Sequence, residues 1–426
     1  MSKGCTMEQT VRQAAQLAKA ASMGMATTSG EQRNAALHAM AQALRDNTAG
    51  IVAANDADME AARAKGTPAP LLDRLMLDAG RIEGMASALE DLAALPEPLG
   101  VVQQERTLDS GVRLQRVSVP MGVVAMVYEA RPNVTADAAG ICVKTGNACI
   151  LRGGSLAIHS CLAIADVLHA AAVSAGLPEN CIIPVRTTDR SATDELLTMR
   201  GLVDLLIPRG GAGLIQHCID NATVPVIETG VGNCHVYVHA PADIDMALNI
   251  VMNAKTQRPG VCNAIESLLV DREIAPELLA AVLPALHGAG VVIHGDEAAQ
   301  AAGAAAGVPI IPATEEDWAT EYLDLEIAVK AVDGVDEAIA HINRYGTNHS
   351  ECIVTSDEDA AERFLAQVDA SSVYWNASTR FTDGGEFGLG AEIGISTQKL
   401  HARGPFALEA LCSYKYLLRG DGQVRG

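Results

Sequence analysis

Hydrophobic and polar positions along this chain predict three kinds of segment in succession. Residues 7–93 have high helix propensity and are predicted to be mostly helical. Residues 101–119 alternate polar and apolar positions on either side of a turn at Gly111, which is the pattern of a β-hairpin. From Pro120 onward, short continuous apolar runs alternate with segments of helical periodicity. This alternation from Pro120 onward indicates buried parallel strands joined by helices.

The apolar runs that we interpret as strands fall into two series. The first comprises 122–128, 147–151, 181–185, 203–207 and 224–227, with helices at 134–144 and 157–172 and between the later strands. The second begins at 236–239 and continues with 266–270, 290–294, 325–332, 351–354 and 372–375. The alternation predicts an α/β fold built on an open, mostly parallel sheet with helices on both faces.

Length and composition narrow the class of protein. A chain of 426 residues exceeds one ordinary core, so two or three domains are expected. The net charge of −21 argues against nucleic acid as a partner, because binding its backbone needs clustered Lys and Arg. It is compatible with an anionic small-molecule substrate, since a few arginines and helix N-termini can reverse the field inside a cleft.

Targeting and metal signals are absent from the sequence. No apolar run approaches the roughly 20 residues that span a bilayer, so no membrane contact is expected. The N-terminus lacks the apolar segment of a signal peptide, and we expect a cytoplasmic protein with reduced thiols. The ten cysteines include no Cys-x-x-Cys pair, and no His, Asp or Glu set has ligand spacing, so no metal is predicted.

Cys262 lies on a connection between a predicted helix at 242–252 and the strand at 266–270, just after Pro259-Gly260. A substrate can reach a thiol on such a connection, whereas a thiol inside either element would be packed away. Cysteine is nevertheless among the most buried residue types. Taken alone, this segment favours a structural role for Cys262.

Four predicted strands of the first series end in polar or glycine-rich segments. In chain order these segments are Glu129–Asn133, Arg152–Ser155, Pro208–Gly213 and Glu228–Gly232. Ligands of open α/β sheets bind at the carboxyl ends of the strands, so all four segments are candidates for a binding site.

The two glycine segments suggest a nucleotide phosphate site. Gly153 in one, and Gly210, Gly211 and Gly213 in the other, let a phosphate approach exposed N–H groups at a helix start. Neither segment is a Gly-x-Gly-x-x-Gly or Walker motif, so each alone favours an ordinary turn, whereas the presence of both on one sheet favours a nucleotide phosphate site. Arg152 has the reach to bind a ribose 2′-phosphate, which favours NADPH over NADH, although a surface arginine is a competing interpretation.

Two other strand-end residues also have structural interpretations. Asn133 precedes a helical run and has the residue type of a helix cap. Glu228 reads equally well as a solvated acid on a loop.

Seven motifs together resemble one known family, the γ-glutamyl phosphate reductases of the aldehyde dehydrogenase superfamily. The motifs are Tyr128–Val134, Lys144–Ser155, Pro208–Gly213, Glu228–His235, Gln257–Asn263, Asn376–Phe381 and Phe387–Pro405. They occur in the expected order from about residue 7 to residue 420, so the resemblance covers nearly the whole chain.

The resemblance implies NADPH-dependent reduction of L-glutamyl 5-phosphate to L-glutamate 5-semialdehyde and phosphate, the second step of proline biosynthesis. It implies that Cys262 is the nucleophile and carries a thioacyl intermediate, and that the Asn133 amide donates to the oxyanion. Glu228 matches the loop glutamate of the superfamily. Glu326 matches the glutamate that holds the nicotinamide ribose.

The remaining site residues are less specific. Lys144, Arg152 and the turn Gly210–Gly213 fall where the family binds the ribose and phosphates of the cofactor. The anionic substrate needs cationic partners, and the candidates, each with a structural ion pair as the alternative, are Arg131, His401 and Arg403. One position departs from the family, because Gly260 stands where serine is frequent, and the added backbone freedom is expected to loosen the loop by about 0.5 kcal/mol or more.

The resemblance also implies three parts. Residues 1–100 and 120–240 would form a Rossmann-type cofactor domain and 241–385 the α/β catalytic domain. The hairpin 101–119 would join a strand within 409–420 as an oligomerisation element. We therefore expect a homo-oligomer, and an association with the upstream glutamate 5-kinase is a further expectation.

Three other functions remain open at this stage. The first is an aldehyde dehydrogenase whose acyl acceptor is CoA or water, which phosphate dependence would separate. The second is a cysteine acyltransferase or hydrolase without a redox step, which would not bind NADPH. The third is a catalytically silent partner protein.

Overall fold

The computed structural model describes residues 10–129 and 131–425. The chain divides into two compact units. The first contains the residues through Glu228 together with Leu389–Gly394 and those from Phe406 onward, and the second contains Thr229–Gly388 and Ile395–Pro405. The domain boundary that the resemblance implies, after residue 240, stays a prediction.

Five helices open the first unit, as the sequence predicts. They are Val11–Met25 (α1), Gly30–Asp46 (α2), Thr48–Ala64 (α3), Ala69–Leu75 (α4) and Ala79–Ala94 (α5). Thr10 and Ser29 begin the first two as capping boxes, each accepting from the backbone N–H three residues on. These caps satisfy N–H groups that a helix start otherwise leaves unbonded.

A three-stranded antiparallel sheet confirms the predicted hairpin and C-terminal strand. Its strands are Val102–Thr107 (β1), Arg113–Pro120 (β2) and Cys412–Arg419 (β16), in the order β1-β2-β16. The last strand pairs with β2 over its full length.

The parallel sheet of the first unit has the order β5-β4-β3-β6. Its strands are Val123–Tyr128 (β3), Ala148–Gly153 (β4), Ile182–Pro184 (β5) and Leu205–Arg209 (β6), and its helices are Asn133–Lys144 (α6), Ile158–Ser174 (α7), Ser191–Leu197 (α8) and Ala212–Asn221 (α9). Every residue of β3 and β4 is buried, which explains the apolar runs at 123–128 and 148–151. The strand predicted at 224–227 is reduced to a single bridge between Leu206 and Val226, because Pro225 has no N–H to donate.

A seven-stranded parallel sheet forms the core of the second unit, in the order β10-β9-β11-β8-β7-β12-β13. Its strands are Cys234–Val238 (β7), Ile265–Asp271 (β8), Val292–Gly295 (β9), Ile311–Pro312 (β10), Glu326–Val332 (β11), Ser350–Val354 (β12) and Ser372–Trp375 (β13). Its helices are Ile244–Thr256 (α10), Ala275–Gly288 (α11), Glu297–Ala306 (α12), Gly334–Tyr345 (α13) and Glu358–Gln367 (α14). A short pair of strands, Gly394–Ser396 (β14) and Gly404–Phe406 (β15), completes the chain's sheets as described.

The described helices contain no segment with the length and hydropathy of a membrane span.

Candidate active site

Cys262 stands apart from the other cysteines by its accessibility. It lies on the turn between α10 and β8, and of the nine cysteines in the described residues it alone is not buried. Burial raises the pKa of Cys161 to about 11, and those of Cys181 and Cys352 to about 12. Such thiols stay protonated and shielded, so the accessible thiol among the described residues is that of Cys262.

The carbonyl of Cys262 lies against the segment that follows Glu228. A Cβ added at Gly232 would lie 1.6 Å from the Cys262 carbonyl oxygen, so only glycine fits there. The Cys234 thiol donates to the same oxygen at 3.2 Å. The N–H of Gly232 donates to Glu321 Oε1 at 2.6 Å. These contacts fix the backbone that carries Cys262.

Asn263, the next residue, anchors the other side of the loop. Its amide donates to the carbonyl of Thr382 at 2.9 Å, and the Thr379 hydroxyl donates to the Asn263 carbonyl at 2.7 Å. Arg380 lies between these two partners. Its Nε donates to Gln257 Oε1 at 2.9 Å.

A buried ion pair joins the two ends of this loop. Lys255 Nζ lies 2.6 Å from Glu266 Oε2, and both side chains are fully buried. Lys255 also donates to the Ile265 carbonyl at 3.0 Å, and Glu266 Oε1 accepts from the N–H of Leu323 at 3.3 Å. Burial lowers the pKa of Lys255 and raises that of Glu266 to about 7. The pair therefore ties the end of α10 to the start of β8.

Glu326 begins β11 and is held by a neighbouring histidine. His294 Nε2 lies 2.5 Å from Glu326 Oε1, and His294 Nδ1 lies 3.2 Å from Asp317 Oδ1. Tyr322 donates to the same Asp317 oxygen at 2.8 Å. The Glu326 carboxylate is thus oriented while 34% of its side chain stays exposed, which leaves it able to accept from a ligand hydroxyl.

In the first unit, Asn133 and Arg131 follow the carboxyl end of β3 and are exposed. The Asn133 amide donates to Asp137 Oδ2 at 3.1 Å, one turn along α6. Burial raises the pKa of Asp137 to about 6. Pro132 occupies the cap position of α6 without a side-chain bond, so the interpretation of Asn133 as a helix cap is wrong.

The glycine turn before α9 binds a carboxylate. Gly210, Gly211 and Gly213 are exposed, and α9 has no side-chain cap of its own. Instead Glu129 Oε2 accepts from the N–H of Gly211 at 2.9 Å. This helix start therefore accommodates a negative group, as expected of a phosphate-binding turn.

Arg152 and Gly153 end β4, which is separated from β6 by β3 in the sheet order. Arg152 Nη2 donates to the carbonyls of Thr188 and Asp189, both at 3.0 Å, while its Nε is buried without a partner in the described chain. Burial lowers the pKa of Arg152. A Cβ at Gly153 would lie 3.0 Å from Cys161 Sγ, so this glycine serves the packing of α7.

Lys144 requires a correction. It ends α6 and precedes β4, so it lies at the amino end of the strands, opposite to the edge where ligands bind. Its buried ammonium donates to Asn34 Oδ1 at 2.9 Å and to the carbonyls of Ala93 and Leu95 at 3.1 and 2.7 Å. Three bonds use all three donors, so Lys144 holds the helical layer in place and is removed from the proposed cofactor site.

The other predicted residues have simpler surroundings. Glu228 is half-buried and follows the bridge at Val226. His401 is exposed in the second unit. Arg403 lies 2.7 Å from Asp369, which also binds Lys399, so for Arg403 the alternative of a structural ion pair fits better than a substrate clamp.

The sequence reasoning missed several polar residues that shape the site. These residues are Glu129, Lys255, Glu266, His294, Glu321 and Arg380. A usable signal existed for Glu266, because an acid inside the apolar strand 265–270 must have a buried partner. Arg380 lies in a motif that was recognised only by resemblance.

Comparisons with known proteins identify the family. A model of the aldehyde dehydrogenase family matches residues 4–307. The chain is 55% identical over 414 residues to a gamma-glutamyl phosphate reductase of Moorella thermoacetica, covering 96% of this chain and 97% of that one. It is 52% identical over 419 residues to one of Clostridium novyi, covering 98% and 100%.

A solved structure gives the same answer. The gamma-glutamyl phosphate reductase of Thermotoga maritima has a TM-score of 0.95 at 44% identity, covering 98% of this chain and 100% of that one. The resemblance and the fold class predicted from the sequence are confirmed, and the chain belongs to the gamma-glutamyl phosphate reductase family, a group of oxidoreductases within the aldehyde dehydrogenase superfamily.

Proposed function

We propose that the chain reduces L-glutamyl 5-phosphate to L-glutamate 5-semialdehyde and phosphate, with NADPH as reductant and a thioacyl intermediate on Cys262. The observation that carries the proposal is the accessible Cys262 on a loop fixed from both sides, in a chain 55% identical to a gamma-glutamyl phosphate reductase.

The first chemical step is acyl transfer. The Cys262 thiolate attacks the carbonyl carbon of the acyl phosphate, and the bond from that carbon to the phosphate oxygen breaks, with its electrons leaving on phosphate. The backbone N–H of Cys262 and the amide of Asn133 are the proposed donors to the oxyanion. Loss of one such donor typically raises the barrier by about 2.7–4 kcal/mol.

The residues present fit a nicotinamide dinucleotide. In the first unit, the turn before α9 already binds a carboxylate, and Arg152 has a buried Nε without a partner among the described residues. In the second unit, Glu326 is oriented by His294 and partly exposed, as a ribose hydroxyl requires. When bound, the reduced cofactor would supply the hydride that the thioacyl group accepts. The preference for NADPH rests on Arg152.

Glu228 has a smaller role in this reaction than in hydrolytic relatives. An acyl phosphate is already activated, so its attack by a thiolate needs no general acid. Water attack on the thioacyl group is the side reaction that the enzyme must suppress. We therefore expect Glu228→Gln to retain a substantial fraction of the activity.

The decisive assay is phosphate-dependent oxidation of glutamate 5-semialdehyde with NADP and, separately, with NAD. The wild type should oxidise the semialdehyde at a rate that depends on phosphate and is higher with NADP than with NAD. Glu228→Gln should retain much of this rate, and Cys262→Ala should have no activity. A rate that depends on CoA, or that needs no acyl acceptor beyond water, would assign another reaction of the superfamily. Full turnover by Cys262→Ala would refute the covalent route.

A further inference from the structure

Arg380 projects from a segment that is hydrogen-bonded to the loop between α10 and β8, which carries Cys262 and is called the nucleophile loop below. Thr379 and Thr382, on either side of it, bind the backbone and side chain of Asn263, which adjoins Cys262. The Arg380 side chain reaches back to Gln257 on the other limb of the same loop. Its partly buried guanidinium is thus held beside the loop that carries the thiol.

The arginines of the second unit differ in their pairing. The unit contains six, and four bind a carboxylate, in the pairs Arg272–Asp333, Arg344–Glu315, Arg363–Asp336 and Arg403–Asp369. Among the residues that the structure describes, the two without an ion pair are Arg258 and Arg380. Arg258 is exposed and lies four positions before Cys262. In a chain of net charge −21, two arginines without an ion pair close in sequence or structure to the Cys262 loop are conspicuous among the described residues.

Arg258 directly follows Gln257, whose side chain accepts a hydrogen bond from Arg380, so both arginines belong to the same limb of the loop. Burial and the positive charge of Arg258 lower the pKa of Arg380, and the Asp383 carboxylate and the sulfurs of Cys262 and Cys234 oppose that change. Two like charges near each other repel, and an anion bound between them would relieve the repulsion. Guanidinium groups bind phosphate through paired N–H donors, which suits them to this task.

We propose that Arg380 and Arg258 form an anion subsite beside Cys262 that receives the phosphoryl group of the acyl phosphate. The inference rests on the proposed function and specifies its substrate contact. The subsite would hold the phosphoryl group while the Cys262 sulfur attacks the adjacent carbon, and it would stabilise the phosphate anion as that anion leaves. In the reverse direction it would hold inorganic phosphate for attack on the thioacyl group.

Alkylation of Cys262 tests the subsite without any turnover. Iodoacetate is an anion and iodoacetamide is neutral, so the ratio of their rate constants reports the positive field at the sulfur. We expect the ratio to fall about tenfold or more in Arg380→Gln, because the substitution removes a charged hydrogen-bond donor. Arg258→Gln should lower it less, because Arg258 is exposed. Arg380→Lys should retain part of it, and Arg272→Gln, the matched surface control, should leave it unchanged.

Protection by inorganic phosphate completes the test. Phosphate should slow alkylation of the wild type, and the half-protecting concentration should rise about tenfold or more in Arg380→Gln. Equal protection of the wild type and of Arg380→Gln by phosphate would overturn the inference. Protection by L-glutamate but not by phosphate would also overturn it, because that result would assign the subsite to the α-carboxylate of the substrate. Because alkylation needs no cofactor, an anion subsite in a chain without reductase activity would disprove the proposed function alone. If the enzyme is active but its ratio of iodoacetate to iodoacetamide rate constants is the same in the wild type and in Arg380→Gln, the subsite alone would be disproved.

Discussion

At the scale of single residues, two glycines near Cys262 differ in whether a side chain would fit at their position. Gly232 lies against the Cys262 carbonyl, where a Cβ would come within 1.6 Å of the oxygen. Gly260 has its nearest neighbour, the Leu323 carbonyl oxygen, at 3.5 Å from a built Cβ, and its backbone is not in the left-handed region. A side chain is therefore excluded at Gly232 and accommodated at Gly260.

We predict that Gly232→Ala displaces the Cys262 backbone and removes most phosphate-dependent turnover. The matched change Gly260→Ala should keep turnover and raise the free energy of unfolding by about 0.4–1 kcal/mol, because alanine restricts the unfolded chain. Urea unfolding and the semialdehyde assay measure both effects. An active Gly232→Ala enzyme, or an inactive Gly260→Ala enzyme, would contradict the geometry of the loop.

Residue-level prediction from the sequence succeeded where a local rule applied. The glycine segment after β6 does open a helix, α9, and its role in binding phosphate stays a prediction. Cys262 lies on a connection and is not buried, although its segment taken alone favoured a structural role. The resemblance misplaced Lys144, whose partners Ala93 and Leu95 lie at the end of α5 and are distant in sequence. Arg380 was missed for the same reason, since only the folded chain brings it to the loop through Asn263.

At the scale of elements, the Lys255–Glu266 pair joins α10 to β8 across the nucleophile loop. Lys255→Met would leave an unpaired carboxylate at a fully buried site and should lower the free energy of unfolding by about 3–5 kcal/mol. The double change Lys255→Met with Glu266→Leu replaces the pair by apolar groups and should recover most of that loss. Urea unfolding measures the free energy of unfolding of both variants. Equal values for the single and the double variant would show that the unpaired Glu266 carboxylate is not desolvated.

The antiparallel sheet of β1, β2 and β16 is the proposed oligomer interface. Tyr414, Tyr416 and Leu418 alternate along β16 and are each at least half exposed, so they form one apolar stripe. We predict that Tyr416→Asp shifts the sedimentation coefficient towards the monomer. Leu400→Asp, which changes an exposed leucine of the second unit, should leave it unchanged. An unaltered assembly in Tyr416→Asp would exclude this interface.

Element boundaries show where the sequence pattern is sufficient. The predicted strand at 147–151 corresponds to β4 at Ala148–Gly153, whose apolar residues 148–151 are buried. The pattern ended the strand too early, because Arg152 is charged and yet buried in β4. The segment 224–227 has the same apolar composition but only one bridge, since Pro225 interrupts the ladder. The pattern of apolar residues records burial, and hydrogen bonding depends additionally on backbone donors.

At the scale of the whole molecule, buried histidines set the response to acid. Burial lowers the pKa of His341 to about 3 and that of His349 to about 4. The unfolded chain takes up these protons near pH 6.5, so it binds more protons than the folded chain below that pH. The free energy of unfolding should fall as the pH drops below about 6.5, by at most about 1.4 kcal/mol per pH unit for each histidine.

We predict that His341→Phe, which keeps a ring in the same position, flattens this dependence between pH 6.5 and about 5. Substitution of the exposed His287 by Gln should leave the slope as in the wild type. Chemical unfolding at several pH values compares the three proteins. A slope in His341→Phe equal to that of the wild type would mean that His341 is protonated in the folded chain.

The central claim is that Cys262 becomes acylated by the substrate. Its most direct test is mass spectrometry of the enzyme after incubation with glutamate 5-semialdehyde and NADP in the absence of phosphate. The account predicts one added glutamyl group, located at Cys262, that disappears when phosphate is supplied. Formation of NADPH while Cys262 stays unmodified, or a glutamyl group on another residue, would contradict it.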